Sequence, residues 1–165
     1  MNSKGLFGFC IGIAGFALMH APAFAQSGQS EKLICNAVGY SPAQPLGDRK
    51  GHSIAVSHSS CRIEGGPLDG GVMTGMTIWE WHKGNAVMLS SIGVSRKPGT
   101  TLAYQNTRGK MSLMMSDGKV VGVQGSGRGR CTMATGAAAA RKGKAYGFTF
   151  KSTGPSQFEI DVTYD

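Results

Sequence analysis

The chain has 165 residues, of which 17 are Lys or Arg and 9 are Asp or Glu, so its formal net charge is +8. A chain of this length forms one domain of ordinary size. Its 41% hydrophobic and 16% charged residues exclude an intrinsically disordered chain.

The N-terminal segment 1–25 has the pattern of a secretory signal peptide. Lys4 precedes an apolar run at 6–19 that leads into an A-x-A cleavage pattern. That run is shorter than the roughly 20 apolar residues that a membrane-spanning helix needs, which disfavours an uncleaved anchor. We therefore expect export to the periplasm or the extracellular space after cleavage near Ala25. The mature domain, 26–165, is expected to have no transmembrane segment.

Cysteine usage fits an exported protein. Cleavage would remove Cys10 and leave Cys35, Cys61 and Cys131. Two of these three are expected to form a disulfide in an oxidising compartment. We favour Cys35–Cys61, because that bridge would hold the Gly- and Pro-rich segment 39–51. Cys131 would then be either a buried small apolar residue or a thiol activated by its neighbouring arginines.

The mature chain is dominated by short runs in which apolar and polar residues alternate. The clearest run is 157–164, where Phe158, Ile160, Val162 and Tyr164 share one face. The turn-forming residues at 83–85 and 116–118 contain Gly with Asn or Asp, which is typical of tight hairpins. The predicted strands are 32–38, 54–63, 72–81, 86–94, 101–106, 110–115, 119–124, 146–150 and 157–164.

This pattern predicts an all-β domain. Short strands repeated about every ten residues are typical of a sandwich or a barrel. Helix is predicted only as one short turn at 135–142, where four alanines favour it and Gly143 would end it. The lack of long helical segments excludes a parallel α/β fold. We expect a single antiparallel β-barrel of eight or nine strands, because closure removes exposed edge strands.

The glycine-rich segment 125–138 follows one predicted strand and precedes another. In this respect it resembles the glycine-rich connection of allene oxide cyclase and dirigent-type barrels. The resemblance implies an eight-stranded antiparallel barrel with a central cavity for an apolar ligand or intermediate. It assigns no catalytic residue, and lipocalin-like barrels fit the pattern equally well.

Common catalytic and cofactor motifs are missing from the sequence. The glycine-rich run 122–129 has no P-loop pattern, and Arg130 stands where a dinucleotide fingerprint needs its third Gly. We interpret this run as a bulge or a close approach of strands. The sequence also has no G-x-S-x-G nucleophile motif. The histidines and methionines lack the spacing of a metal site, so neither a metal nor a cofactor is expected.

Glu80 is the strongest candidate for a catalytic group. It stands between Trp79 and Trp81 in a predicted strand, so alternation puts it on the face opposite the tryptophans. A Glu80 that faced a cavity would be suited to proton transfer. The alternative is that Glu80 faces solvent and the tryptophan face forms the core. His58 and Tyr104, also in predicted strands, are candidate polar groups for binding a ligand.

Basic residues are concentrated in the second half of the chain. Segment 96–151 has eleven Lys and Arg residues, among them Arg128 and Arg130, and a single acidic residue, Asp117. Such a field attracts acidic polysaccharide, anionic lipid or lipopolysaccharide, although an ordinary solvated surface is the alternative. Nucleic acid is not an expected partner, because the chain carries an export signal and no recognised binding module.

Together these patterns favour an exported, non-enzymatic β-barrel that binds a small amphipathic or anionic ligand. The candidate ligand-binding residues are His58, Glu80, Tyr104, Arg128 and Arg130. One alternative is a cyclase- or isomerase-type enzyme that uses Glu80. The other is an envelope protein whose basic face docks to anionic polymer or lipid.

Overall fold

The computed structural model describes residues 30–165, and the predicted signal peptide lies outside them. The strands are β1 (Ser30–Tyr40), β2 (Gln44–Pro45), β3 (His52–Glu64), β4 (Val72–His82), β5 (Asn85–Lys97), β6 (Thr100–Ser116), β7 (Lys119–Ala134), β8 (Ala145–Gly154) and β9 (Gln157–Tyr164). A short 3-10 helix, Gly136–Arg141, lies between β7 and β8. No helix within 30–165 is long and apolar enough to cross a membrane.

The sheet is a closed antiparallel barrel, as the sequence predicts. Neighbouring strands pair in the order β1-β9-β8-β7-β6-β5-β4-β3, and β1 also pairs with β3. These eight strands form the wall, and β2 is an additional short strand on β3. The predicted helical turn is also confirmed, as the 3-10 helix Gly136–Arg141.

Two predicted strand boundaries are wrong. The predicted strands 101–106 and 110–115 are one continuous strand, β6, which passes their junction through a bulge between Asn106 and Arg108. The strand predicted to end at 124 continues to Ala134, so most of the glycine-rich segment lies in the sheet. A bulge lets a strand continue where the alternation shifts by one residue, which explains the first error.

Tight turns join β4 to β5 and β6 to β7, as predicted. Lys83 and Gly84 form the first turn with φ of 50° and 78°, and Asp117 and Gly118 form the second with φ of 48° and 75°. Two-residue turns with positive φ at both positions match the twist of antiparallel strands. These turns allow consecutive strands to pair directly around the barrel.

The glycines of β7 make room for the aromatic rings of β8. Gly125, Gly127 and Gly129 are register partners of Phe150, Phe148 and Tyr146. A methyl group on Gly127 would overlap both the Phe148 ring and the Arg108 carbonyl oxygen. The rings therefore lie across the backbone of β7, which gives the barrel an aromatic inner wall and confirms the close approach expected of this run.

A disulfide joins the two strands whose pairing closes the barrel. Cys35 and Cys61 are directly opposite each other in β1 and β3, and they form the predicted bridge. A loop of this size is worth about 3 kcal/mol in the chain-entropy account. Cys131 is fully buried, and burial raises the pKa of its thiol to about 11, which favours the structural interpretation over a reactive thiol.

One end of the barrel, here called the base, is closed by side chains. Leu68 from the β3–β4 connection and Ala138 from the 3-10 helix are almost completely buried there. Beside them, Arg141 Nη1 donates to Glu31 Oε1 at 2.6 Å, and both side chains are buried. Tyr164 donates its hydroxyl to the other Glu31 oxygen at 3.1 Å, and its ring packs under the Arg141 guanidinium.

Gly127→Ala tests the packing of glycine against aromatic rings. We expect it to lower the free energy of unfolding by about 1 to 3 kcal/mol, because the added methyl group has no space beside Phe148. Ser126→Ala, on the outer face of the same strand, is the control and should have little effect. Chemical denaturation measures both, and equal stabilities of the two variants would contradict the packing described.

Arg141→Met tests the closure of the base. It leaves the Glu31 carboxylate buried without its cationic partner, so the free energy of unfolding should fall by about 3 to 5 kcal/mol. Adding Glu31→Gln should restore a large part of that loss, because no charge then remains to be buried. If the double variant were as unstable as Arg141→Met alone, the loss of stability would have a cause other than the broken ion pair.

Candidate functional site

The barrel encloses a cavity of about 390 Å³ that opens at the end opposite the base, here called the mouth. Its wall is made mostly of large aromatic and apolar side chains. They include Met73, Trp79, Trp81, Met88, Tyr104, Met111, Leu113, Val123, Phe148, Phe150, Phe158 and Ile160. This volume and this lining are those of a pocket for a small organic molecule.

A chain of hydrogen bonds crosses the cavity wall from β4 to β8. Thr77 Oγ1 donates to Ser91 Oγ at 2.9 Å, and Asn106 Nδ2 donates to the same oxygen at 2.8 Å. Tyr146 donates its hydroxyl to Asn106 Oδ1 at 2.6 Å. Ser91 Oγ accepts both hydrogen bonds in this arrangement, so neither Thr77 nor Asn106 uses its hydroxyl hydrogen.

The cavity is lined by uncharged groups. Among its lining residues within 30–165 there is no Lys, Arg, Asp or Glu. Tyr104 donates its hydroxyl to the Met73 sulfur at 3.1 Å, and burial raises the pKa of this phenol above its ordinary value. Burial also raises the pKa of Tyr146. Both phenols are therefore neutral hydrogen-bonding groups at physiological pH.

The residues proposed from sequence lie on different sides of the wall. Tyr104 lines the cavity, where Gly75 and Gly93 leave room for its hydroxyl. His58 borders the cavity at the bulge opposite Gly39, but its side chain is exposed. The other three, Glu80, Arg128 and Arg130, do not line the cavity, and both arginines are exposed.

Glu80 takes part in a polar cluster on the outer wall. His52 Nε2 lies 2.7 Å from Glu80 Oε1, and His52 Nδ1 lies 2.6 Å from Asp48 Oδ1. Arg49 Nη2 lies 3.7 Å from the same Glu80 oxygen. Meanwhile Trp79 and Trp81 line the cavity, so the alternative in which the tryptophan face points inward describes this strand.

The His52 cluster has a defined pH dependence. Hydrogen bonds to Asp48 and then Glu80 raise the pKa of His52 above 6.5, and the bond to His52 lowers the pKa of Asp48 below 3.8. The stabilisation from His52 is complete below pH 6.5 and is lost as pH rises through its raised pKa. The stabilisation from Asp48 is present above pH 3.8 and is lost as the pH falls through the lowered pKa of Asp48. The cluster is therefore most stabilising between these two values.

A second concavity lies on the outer face of strands β5 to β9 and has a volume of about 810 Å³. Its lining includes the charged residues Lys110, Lys151, Glu159 and Asp161. It is larger than the interior cavity but more open to solvent. The interior cavity is the better candidate site, because its lining is mostly aromatic and apolar, as in pockets that bind small organic molecules.

Sequence reasoning missed the polar groups of the cavity, Thr77, Ser91 and Asn106. Small polar residues within strands are common and carry no signal by themselves. Ser91 and Asn106 are register partners in β5 and β6, and Thr77 is the register partner of Ser91 in β4. Only the strand register, which the sequence does not specify, shows that they meet.

Comparison of the chain with known proteins identified no relative. No protein-family model matches the chain, and no curated protein matches it in sequence. Within residues 30–165, no group of three or more His, Cys, Asp or Glu side chains is arranged to hold a metal ion. Fold and site together define an eight-stranded antiparallel barrel with an interior cavity whose lining, within 30–165, contains no Lys, Arg, Asp or Glu.

Glu80→Gln tests the outer cluster and its separation from the cavity. Loss of one carboxylate partner should move the pKa of His52 downward, which a ¹H–¹⁵N NMR titration of the imidazole measures. Glu64→Gln, whose carboxylate contacts Arg62 instead, is the control and should leave His52 unchanged. A His52 titration that is identical in Glu80→Gln and wild type would contradict the assigned contact.

Proposed function

We propose that this protein is an exported, non-enzymatic binding protein that holds a small amphipathic molecule inside its barrel. The supporting observation is the interior cavity of about 390 Å³, lined mostly by aromatic and apolar side chains. Transfer of a ligand's apolar surface from water into this cavity is favourable by roughly 25 cal/mol per Å². A barrel of about eight strands is wide enough to hold one small molecule.

The chemistry of the wall favours an uncharged ligand over an anionic one. An anion placed among Trp79, Phe148 and Phe150 would lose its hydration without gaining a cationic partner, because no Lys or Arg lines the cavity within 30–165. A neutral ligand with one oxygen acceptor would fit better. Ser91 would donate to that oxygen, while the remainder of the molecule contacts the aromatic rings.

A binding role is better supported than a cyclase or isomerase role that depends on Glu80. A catalytic acid or base must reach the proton that it transfers. Glu80 instead contacts His52 and Arg49 on the outer wall, while the neighbouring tryptophans line the cavity.

Docking through the basic face is the second candidate function, and the outer wall supports it. Arg108 and Arg128 are register partners in β6 and β7, and Arg130 follows on the same face. Like charges directly opposite each other in a sheet are unfavourable unless an anion lies between them. Arg128 contacts Asp165 at 2.6 Å, which satisfies one of these three arginines.

Export is proposed from the N-terminal pattern at 1–25 and is supported by the disulfide. Cys35–Cys61 is compatible with an oxidising compartment, the periplasm or the extracellular space. In such a setting the mature barrel would carry its ligand between membranes or across the extracellular medium.

A neutral fluorescent probe tests the proposed site. We expect N-phenylnaphthylamine to bind the mature protein and quench the fluorescence of Trp79 and Trp81, the only two tryptophans of the chain. The anionic probe anilinonaphthalenesulfonate, of similar size, should bind at least tenfold more weakly, because no Lys or Arg of the described residues lines the cavity.

Matched variants on β3 locate the probe. Ser57→Phe places a ring in the cavity and should reduce probe affinity at least tenfold, whereas Ser60→Phe places the same ring on the outer face and should not. Glu80→Gln should also bind as wild type. Equal affinities of the Ser57 and Ser60 variants would refute an interior site, and turnover of a substrate lost in Glu80→Gln would restore the enzyme hypothesis.

A further inference from the structure

The β6–β7 hairpin extends past the rest of the barrel at the mouth. The pairing of β5 with β6 ends at Asn85 and Ser112, and the pairing of β7 with β8 ends at Gln124 and Lys151. Single further hydrogen bonds hold the next pair of residues, from Leu113 N to Gly84 O and from Val123 N to Ser152 Oγ. Beyond them, segment 114–122 is a two-stranded ribbon, here called the hairpin tip.

The hairpin tip exposes three apolar side chains. Met115 is 58% exposed, and Val120 and Val121 are each 56% exposed. Met115 lies two residues beyond Leu113 in β6, and Val121 lies two residues before Val123 in β7. Leu113 and Val123, at the foot of the tip, line the cavity. A group of exposed apolar side chains beside the opening of a cavity is a candidate contact surface.

Exposed basic side chains also lie at this end of the barrel. Lys50 precedes β3, Lys83 lies in the β4–β5 turn, and Lys119 follows the β6–β7 turn, and all three are exposed. Three carboxylates lie at the same end, Asp48, Glu80 and Asp117, and Glu80 contacts both His52 and Arg49. Asp48 is already paired with His52. The mouth therefore combines exposed apolar side chains with three exposed lysines, and two of its three carboxylates are already engaged with His52.

We propose that the mouth docks onto an anionic lipid bilayer, with the hairpin tip inserted among the headgroups. Exposed apolar side chains next to lysines are the combination that binds membrane surfaces, since burial of the first and attraction of the second add together. In this orientation the cavity opens toward the lipid, and the closed base faces away. The proposal concerns the protein surface and does not depend on a ligand being bound in the cavity.

The hairpin tip also has two free strand edges, so pairing with a second copy is the competing occupant. Strand pairing needs no lysines and is indifferent to lipid. It would appear as a dimer in size-exclusion chromatography in the absence of vesicles. The position of the tip beside the cavity opening and the exposed lysines at this end favour lipid.

Vesicle flotation of the mature protein tests the proposal. We expect binding to vesicles of phosphatidylcholine mixed with phosphatidylglycerol, weaker binding to phosphatidylcholine alone, and a decrease with added salt. The double variant Val120→Ser, Val121→Ser should bind roughly tenfold more weakly. Lys83→Gln and Lys119→Gln should each lose about fivefold, but only on the anionic vesicles.

Two control variants carry equivalent changes elsewhere. The double variant Val72→Ser, Ile92→Ser alters side chains that are 50% and 51% exposed on the barrel wall away from the hairpin tip, and Lys144→Gln removes a cation near the base. Both should float like wild type. Equal losses in the Val120/Val121 and Val72/Ile92 variants, no vesicle binding by wild type, or a dimer that Val120→Ser, Val121→Ser abolishes would each overturn the proposal. Binding of the fluorescent probe in the cavity is measured separately. Failure of vesicle binding is therefore distinguishable from failure of the proposed ligand-binding function.

Discussion

The pairing of β1 with both β3 and β9 is the constraint on which the rest of the structure depends. This pairing converts an open sheet into a closed barrel, and only a closed barrel has an interior. Pairing of the first strand with the last requires contacts between the two ends of the chain, which are entropically expensive to form. The Cys35–Cys61 bridge lies within the β1–β3 pair and so strengthens closure where it is needed.

Closure assigns every side chain to the interior or the exterior, and the chain uses the two faces differently. Aromatic rings and small polar groups occupy the interior, while almost all charged side chains are outside. The exception is the Glu31–Arg141 pair, which seals the base. At the centre, the glycines of β7 let the rings of β8 lie flat against the wall. Space consequently remains between the rings and the facing strands, and this space is the cavity.

Alternation and turn chemistry were sufficient to predict much of the fold. The inward face of β9, the two-residue turns and the all-β class follow from local patterns, and the cysteine pairing follows from the segment that it holds. The boundaries of β6 and β7 did not follow. In β6, a bulge shifts the alternation of apolar and polar residues. In β7, the glycines predict the end of a strand, because the sequence does not show that aromatic rings of the partner strand cover them. The pairing of β7 glycines with β8 aromatic rings is a tertiary contact, and a single sequence does not reveal it.

The candidate site was less accessible from sequence than the fold. Alternation places Glu80 opposite Trp79 and Trp81, but it does not decide which of the two faces is inside. Closure decides it, and it puts Tyr104 inside and Glu80 on the outer wall. The meeting of Ser91 with Thr77 and Asn106 depends on the register of three strands. Local patterns therefore identify elements, whereas the chemistry of a barrel interior depends on how those elements are aligned.

A crystal structure of the mature protein grown with N-phenylnaphthylamine tests the central claim most directly. We predict electron density for the probe inside the barrel, in contact with Trp79 and Phe148. Density for the probe only on the outer wall, or an interior filled by inward-turned aromatic side chains, would contradict it.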